Sequence, residues 1–369
     1  MKATRFTAWH LYLLGLVFAG LLMPGPIANS QDGNGNGNGN GRGNRNRDDS
    51  GSAGAATTYS GQATVVSASV LGANTTICDT GALPPEGGCL EASLISTNVA
   101  GLVSGSVCHA TTIAQGHCSK SEASMESLTL SVGLHTVTCG FMMSRAHAEC
   151  DEDGNASVSG CSEIGALSVN GAVVPITGGV NQENVSFLGL RIIINQQVSS
   201  VDGNCGEITV TALRLILTDV LLGTTLADIA ICRTHADICC GGSDGSHAEV
   251  SDFLTGGGFI TGTPSGAKGN FGVAGGIRNN AFWGHLNYID HGTGMHVKHE
   301  TITGYDNAGG NERRITGTCR INGTSGYTFS VFAADNGEPG RDDTFHIYLS
   351  TGYHAGGYLI GGNIQLHNR

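Results

Sequence analysis

An all-β fold is what this 369-residue sequence predicts: two antiparallel β-sandwich-like domains behind a signal peptide and a disordered Gly/Asn linker. Three observations carry the expectation. Apolar residues alternate with small or polar ones, the period of a half-buried strand, and no stretch after residue 30 keeps a helical period. Glycine is abundant at 59 residues while charged residues make up 13%, which favours short strands and tight turns over helices. Twelve cysteines behind an export head suit a cross-linked β protein.

The elements follow in chain order. Lys2 and Arg5 form a basic start, Leu11 to Met23 is apolar, and Ala28 and Ser30 are the small residues a signal peptidase reads, giving a signal peptide over 1–30. Its apolar run falls short of the roughly 18 residues that span a bilayer, so no transmembrane span is expected after cleavage. Residues 31–58 run through alternating Gly and Asn to Arg42, Arg45 and Arg47. Such a stretch has no apolar face to offset the entropy of ordering, so it reads as a tether.

A cysteine-rich β domain is expected over 59–245. Leu128, Leu130 and Val132 share one strand face, as do Leu190, Ile192 and Ile194, then Leu213, Leu215 and Leu217, then Ala227, Ile229 and Ile231. Asn170-Gly171 between two short apolar runs is the strongest hairpin signal in the chain. Cys78 with Cys89, and Cys108 with Cys118, would each close a short disulfide loop. The vicinal Cys239 and Cys240 cannot easily bond each other, so each is expected to bond elsewhere. No Cys-x2-Cys pair recurs at ribbon spacing, which argues against a thiolate zinc site. Asp151-Glu152-Asp153-Gly154-Asn155 begins like a calcium loop, but Gly stands fourth and Ser162 twelfth, so an acidic hairpin turn is the reading.

After Gly241-Gly242-Ser243-Asp244-Gly245 cysteines nearly vanish and histidines and aromatics become common, placing a second β-sandwich domain over 246–369. Tyr327, Phe329 and Val331, then Phe345, Ile347 and Leu349, then Ile364 and Leu366 mark its strand faces. With Trp283, Tyr288 and Tyr305 they could fill one core. The net charge of −12 makes nucleic acid an unexpected partner.

The segment Asp79-Thr80-Gly81-Ala82-Leu83-Pro84-Pro85-Glu86-Gly87-Gly88 resembles the corresponding stretch of the choice-of-anchor P family of bacterial exported proteins. Asn170-Gly171, Asn181-Gln182, Ile194 to Gln197 and Ala212 to Leu217 extend the likeness over about 59–231. The later region resembles the post-COAP-1 domain through Asp252 to Ile260, Gly266 to Gly272, Trp283 to Gly292, Ala334 to Asp343 and Gly361 to Leu366, over about 250–367. The resemblance implies an exported module held at the cell surface and brings no catalytic mechanism. No LPxTG motif, lipobox cysteine or apolar tail before a basic end accompanies it, which favours release or loose association with the envelope.

Three constellations could carry chemistry. Asp335, Asn336, Glu338, Asp342 and Asp343 crowd oxygen atoms into one loop of the composition that binds calcium, the competing reading being a solvated turn with Arg341 paired locally. His285, Asp290, His291, His296 and His299 could form a metal site or an acid/base pair, against structural roles for each. Trp283, Tyr288 and Tyr305 are glycan-stacking candidates for a glycan-binding or glycan-cleaving protein. No nucleophile elbow is present, and Asp342 and Asp343 are neighbours whose side chains diverge, so no catalytic residue is assigned. The sequence therefore reads as a secreted or cell-surface module, non-enzymatic, for display, envelope structure or adhesion, with envelope or extracellular glycans as candidate partners.

Overall fold

Alternation becomes strand throughout the described residues. The computed structural model describes residues 56–99, 103–241, 252–278, 281–338 and 340–367. The expected signal peptide, and the expected linker up to its last three residues, lie outside them. Among the described residues the fold is all-β, with no helix.

The first region opens with β1 Thr58–Val70, β2 Ala73–Asp79, β3 Gly88–Val99, β4 Val103–Gln115, β5 Cys118–Val132, β6 His135–Cys150 and β7 Ala156–Gly165. It continues with β8 Ser168–Val169, β9 Ala172–Val173, β10 Gln182–Phe187, β11 Leu190–Asp202, β12 Cys205–Thr218 and β13 Thr225–Cys239. The second region holds β14 Phe253–Ile260, β15 Gly269–Arg278, β16 Ala281–Asp290, β17 Met295–Gly309 and β18 Glu312–Ile321. It ends with β19 Thr324–Ala334, β20 Thr344–Leu349, β21 His354–Tyr358 and β22 Gly361–His367.

These strands make three antiparallel sheets. A six-stranded sheet runs β10-β11-β12-β13-β1-β2. A seven-stranded sheet runs β3-β4-β5-β6-β8-β9, with β7 also on β6. The two face each other across an apolar layer in which Ala146 and Ala148 of β6 meet Ile208, Val210, Ala236 and Ile238. Polar links cross it too: Ser119 Oγ donates to Ser60 O at 3.0 Å and Ser121 Oγ to His235 O at 2.6 Å. All the strand faces read from the sequence in this region point into buried layers. Asn170 and Gly171 have φ of 53° and 80°, the pair of positive values that a two-residue hairpin of this twist requires.

The second region encloses its core with one nine-stranded sheet, β21-β20-β19-β18-β17-β16-β15-β14-β22, curled into a half-barrel. Near its edges Gly356 N donates to Gly262 O and Ile360 N to Phe259 O. Glycines in β14 and β15 permit the bend, since a strand without Cβ atoms curls without side-chain crowding. Inside lie Phe329, Val331, Phe345, Ile347, Leu349, Ile364 and Leu366, as the alternation predicts, around Phe271 and Tyr288.

The disulfides correct one expectation. Neither Cys78–Cys89 nor Cys108–Cys118 forms; the bonds are Cys150–Cys240 and Cys205–Cys239. Cys78 Sγ is instead turned to the backbone oxygen of Ala92, three residues beyond Cys89 on β3, and Cys118 Sγ lies 3.2 Å from His147 Nε2 on β6, while Cys108 is on β4. The vicinal cysteines do bond elsewhere, one each. Cys319 is buried with its thiol free in the half-barrel interior.

Candidate functional site: a buried polar seam

From Ser119 to Glu126 strand β5 is buried on both faces. Ser119, Ser121, Ala123 and Met125 turn toward the six-stranded sheet, while Lys120, Glu122, Ser124 and Glu126 turn the other way and are at most 6% exposed. The half-barrel covers those charges. Strands β14, β15 and β22 lie over β4, β5 and β6, and the covering strands are rich in glycine. A Cβ on Gly257 would stand 2.9 Å from Glu122 Oε1, and one on Gly272 would stand 2.5 to 2.6 Å from ring atoms of His109. Glycine is thus what lets two sheets meet over a layer of charged side chains.

Charges in the seam pair across it, as burial demands. Arg145 Nε donates to Glu122 Oε2 at 3.4 Å and Arg145 Nη1 to Glu338 Oε1 at 3.3 Å. Lys120 Nζ donates to Thr255 Oγ1 at 3.2 Å and to Gln365 Oε1. Burial, with Arg145 adding to it, pushes the Lys120 amine down to about 7. Lys268 Nζ donates to Glu126 Oε1 at 2.5 Å, and His291 Nε2 stands 3.5 Å from the other oxygen of that carboxylate.

Two imidazole clusters occupy the seam. In the first, His109 and His285 approach Nε2 to Nε2 at 3.2 Å, with Thr111 Oγ1 2.9 Å from His109. Such a contact needs one ring to donate and the other to accept, so the two cannot both be protonated there. Burial lowers each to about 3; the facing His285 adds to the effect at His109, and His299 and Lys298 add to it at His285. His285 Nδ1 lies 3.5 Å from Glu91 Oε2, beside an open groove of about 430 Å³ lined in part by Cys89, Trp283, His299 and Glu300. In the second cluster Cys118, His147 and His367 converge, with Phe253 stacked on His367 at 4.3 Å between centroids.

The first cluster sets a pH dependence. The unfolded imidazoles titrate near 6.5 and the folded ones near 3, so below 6.5 the unfolded chain takes up protons that the folded chain refuses. This contribution to stability is complete above the unfolded value and is lost progressively as pH falls toward 3. Urea midpoints followed from about pH 7 to about pH 4 should fall, and His109→Gln with His285→Gln should flatten the slope relative to the parent. An unchanged slope would show that other groups, His367 or the carboxylates among them, set it.

Glycine in the seam gives a second expectation. Gly272→Ala should cost about 1 to 3 kcal/mol by overpacking, because the His109 ring is held by both Thr111 and His285 and cannot move aside freely. Combining it with His109→Ala should be less costly than the sum of the two, a coupling that a double-mutant cycle of thermal or urea unfolding measures.

The residues singled out in the sequence fall elsewhere. Asp343 Oδ1 accepts from Asn336 N at 2.8 Å and Oδ2 from Ile364 N at 2.7 Å; Asp335 Oδ2 accepts from Leu366 N at 2.9 Å. Glu338 binds Arg145 and Asn363, Asn336 Nδ2 donates to Asp342 O, and Asp342 is exposed. The loop therefore clasps β22 with its carboxylates, and those oxygens diverge toward separate backbone donors. The glycan platform is corrected outright. Tyr288 and Tyr305 lie inside the half-barrel because their positions on β16 and β17 face its core, and Tyr288 Oη meets Tyr353 Oη at 2.8 Å. Trp283 alone reaches the groove, packed 5.7 Å from Phe253 between ring centroids.

The five-residue histidine constellation disperses. Asp290 is buried and accepts from Tyr353 Oη, Gly292 N and Thr293 N, while His296 Nε2 contacts Asn287 Oδ1 at 2.5 Å. His285 joins His109 and lies 6.3 Å from His299 between ring centroids. The Asp151 loop is the expected hairpin turn, its carboxylate accepting from Asp153 N and Asn155 N. His109, Lys120, Glu122, Arg145, His147 and His367 escaped the sequence reading. The one signal was the alternating charge of β5, which reads as a solvent face until a sheet is laid over it.

No family model matches the chain, and no curated protein matches it. Among solved structures an AttH candidate from Nitrosomonas europaea aligns over 84% of this chain and 92% of its own, at 7% identity and a TM-score of 0.18. A likeness at that score carries no argument about fold or function.

Proposed function

We propose that the chain is an exported, non-enzymatic module of the bacterial surface or extracellular space, akin to choice-of-anchor P proteins with a post-COAP-1-like second region. The observation that carries the reading is the pair of disulfides, Cys150–Cys240 and Cys205–Cys239, since such bonds persist in oxidising compartments. Among the described residues no helix is long and apolar enough to cross a membrane. The chemistry-bearing side chains of the seam pair largely with one another, which suits a body that must stay rigid while displayed. Display, envelope structure or adhesion is the role that follows.

The test is compartment and redox state together. Bacteria producing the full chain are treated with a membrane-permeant alkylating agent before lysis, then fractionated. The expected result is protein outside the cytoplasm, beginning near Gln31, with Cys150, Cys205, Cys239 and Cys240 protected. Full-length protein in the cytosol with all four alkylated would overturn the reading.

A further inference from the structure

Three side chains from three strands bring soft and borderline ligands to one point of the seam. Cys118 opens β5, His147 lies on β6, and His367 closes β22, the last strand of the half-barrel. One ligand atom from each lies within 4.8 Å of the other two. Cys118 Sγ is 3.2 Å from His147 Nε2. A tetrahedral zinc ion with bonds of about 2.3 Å to sulfur and 2.0 Å to nitrogen holds its ligand atoms roughly 3.5 Å apart, so the spacing is already that of two ligands of one ion. All three residues are of intermediate exposure.

We propose that Cys118, His147 and His367 form a binding site for a borderline-soft divalent cation of the zinc type. The donor set decides the class: one thiolate and two imidazoles suit zinc, whereas calcium and magnesium take oxygen. Binding replaces the thiol S–H bond with a sulfur–metal bond and releases that proton to solvent. Stacking on Phe253 holds the His367 ring, Thr255 Oγ1 stands 3.4 Å from its Nε2, and Glu149 Oε2 lies 3.9 Å from His147 Nε2, the same nitrogen that faces Cys118. Lys120 Nζ, 3.3 Å from His367 Nε2, is the opposing charge at the site. Because two ligands belong to the first region and one to the second, the ion would pin β22 to the seven-stranded sheet. The site is independent of where the protein is located, so it stands or falls apart from the export reading.

Cobalt(II) is the probe, added to the full folded chain with both disulfides intact after chelator treatment. The expected result is one ion per chain with a thiolate-to-cobalt charge-transfer band and tetrahedral d–d absorption, displaced by zinc. Cys118→Ser should abolish the charge-transfer band. His147→Gln and His367→Gln should each weaken binding by more than the roughly 10- to 100-fold lost when an outer-shell partner of a metal ligand is removed. Cys161→Ser, at an exposed cysteine, should leave the band unchanged. Zinc should raise the melting temperature of the parent and of Cys161→Ser but not of His367→Gln, a substitution near the chain end whose folding is checked by its unchanged far-ultraviolet spectrum. A band that survives Cys118→Ser, a band that vanishes in Cys161→Ser, or the absence of any charge-transfer band in the parent would each overturn the proposal.

Discussion

Glu122→Ala should destabilise the folded chain by about 3 to 5 kcal/mol, the range measured when one partner of a buried ion pair is removed and the other is left behind. The side chains of Glu122 and Arg145 are 6% and 7% exposed. Arg145 keeps Glu338 at 3.3 Å, but that carboxylate is 57% exposed and shared with Asn363, so it replaces little of what Glu122 supplies. Lys120 is a second cation whose charged form Glu122 favours. Removing the carboxylate leaves the Arg145 guanidinium buried under the glycine-bearing strands with less to offset it, and pushes the Lys120 amine further down. Glu183→Ala is the contrast: its partner Arg191 and the carboxylate itself are both about half exposed, and water replaces the bond with little change in stability. Urea midpoints of the two variants make the comparison. Equal midpoints would mean that water enters the seam and the layer is not sealed. The double variant Glu122→Ala with Arg145→Ala should cost less than the sum of the singles, because the stranded charge leaves with its partner.

Loss of the Cys150–Cys240 bond should cost a comparable amount. Its ends are 90 residues apart, and closing a loop of that length restricts the unfolded chain by about 4 to 5 kcal/mol in the chain-entropy account. The bond also joins the end of β6 to the residue after β13, so it ties the two facing sheets of the first region together. Cys205–Cys239, closing 34 residues, joins residues already opposite each other in the β12–β13 register and should contribute about 4 kcal/mol or less. The paired variants Cys150→Ala/Cys240→Ala and Cys205→Ala/Cys239→Ala, unfolded in urea beside the parent, give the two values. The cross-sheet bond is expected to be the larger. The reverse order would indicate that residual structure in the unfolded chain already holds β6 near β13.

The elements that alternation predicts are present because the signal is local. Leu190, Ile192 and Ile194 lie on one face of β11 and are all buried, and Asn170-Gly171 turns as its backbone preference dictates. The refusal of Cys239 and Cys240 to bond each other was likewise legible, since neighbouring residues cannot meet the geometry without strain. Their partners were not, because pairing depends on which strands become neighbours: Cys205 reaches Cys239 through a sheet register and Cys150 reaches Cys240 across two sheets. The acidic loop at 335–343 shows the same limit. Its composition is that of a cation loop, yet which donors its carboxylates face is set by β22, the strand it clasps.

By itself the sequence determined alternating strands without a helix among the described residues, their hairpins, and a disulfide-bearing first region, all consequences of side-chain period and backbone preference within a few residues. Only the tertiary structure decided that the charged face of β5 would be buried. Lys120, Glu122 and Glu126 have the spacing of a solvent face, and nothing within the strand tells water from protein as their neighbour. Their burial depends on a sheet drawn from residues more than 120 positions away, whose glycines remove the side chains that would otherwise hold the two layers apart. The convergence of Cys118, His147 and His367 is partly of the same kind: β5–β6 pairing sets Cys118 beside His147, and His367 joins them only when that sheet closes over the first region.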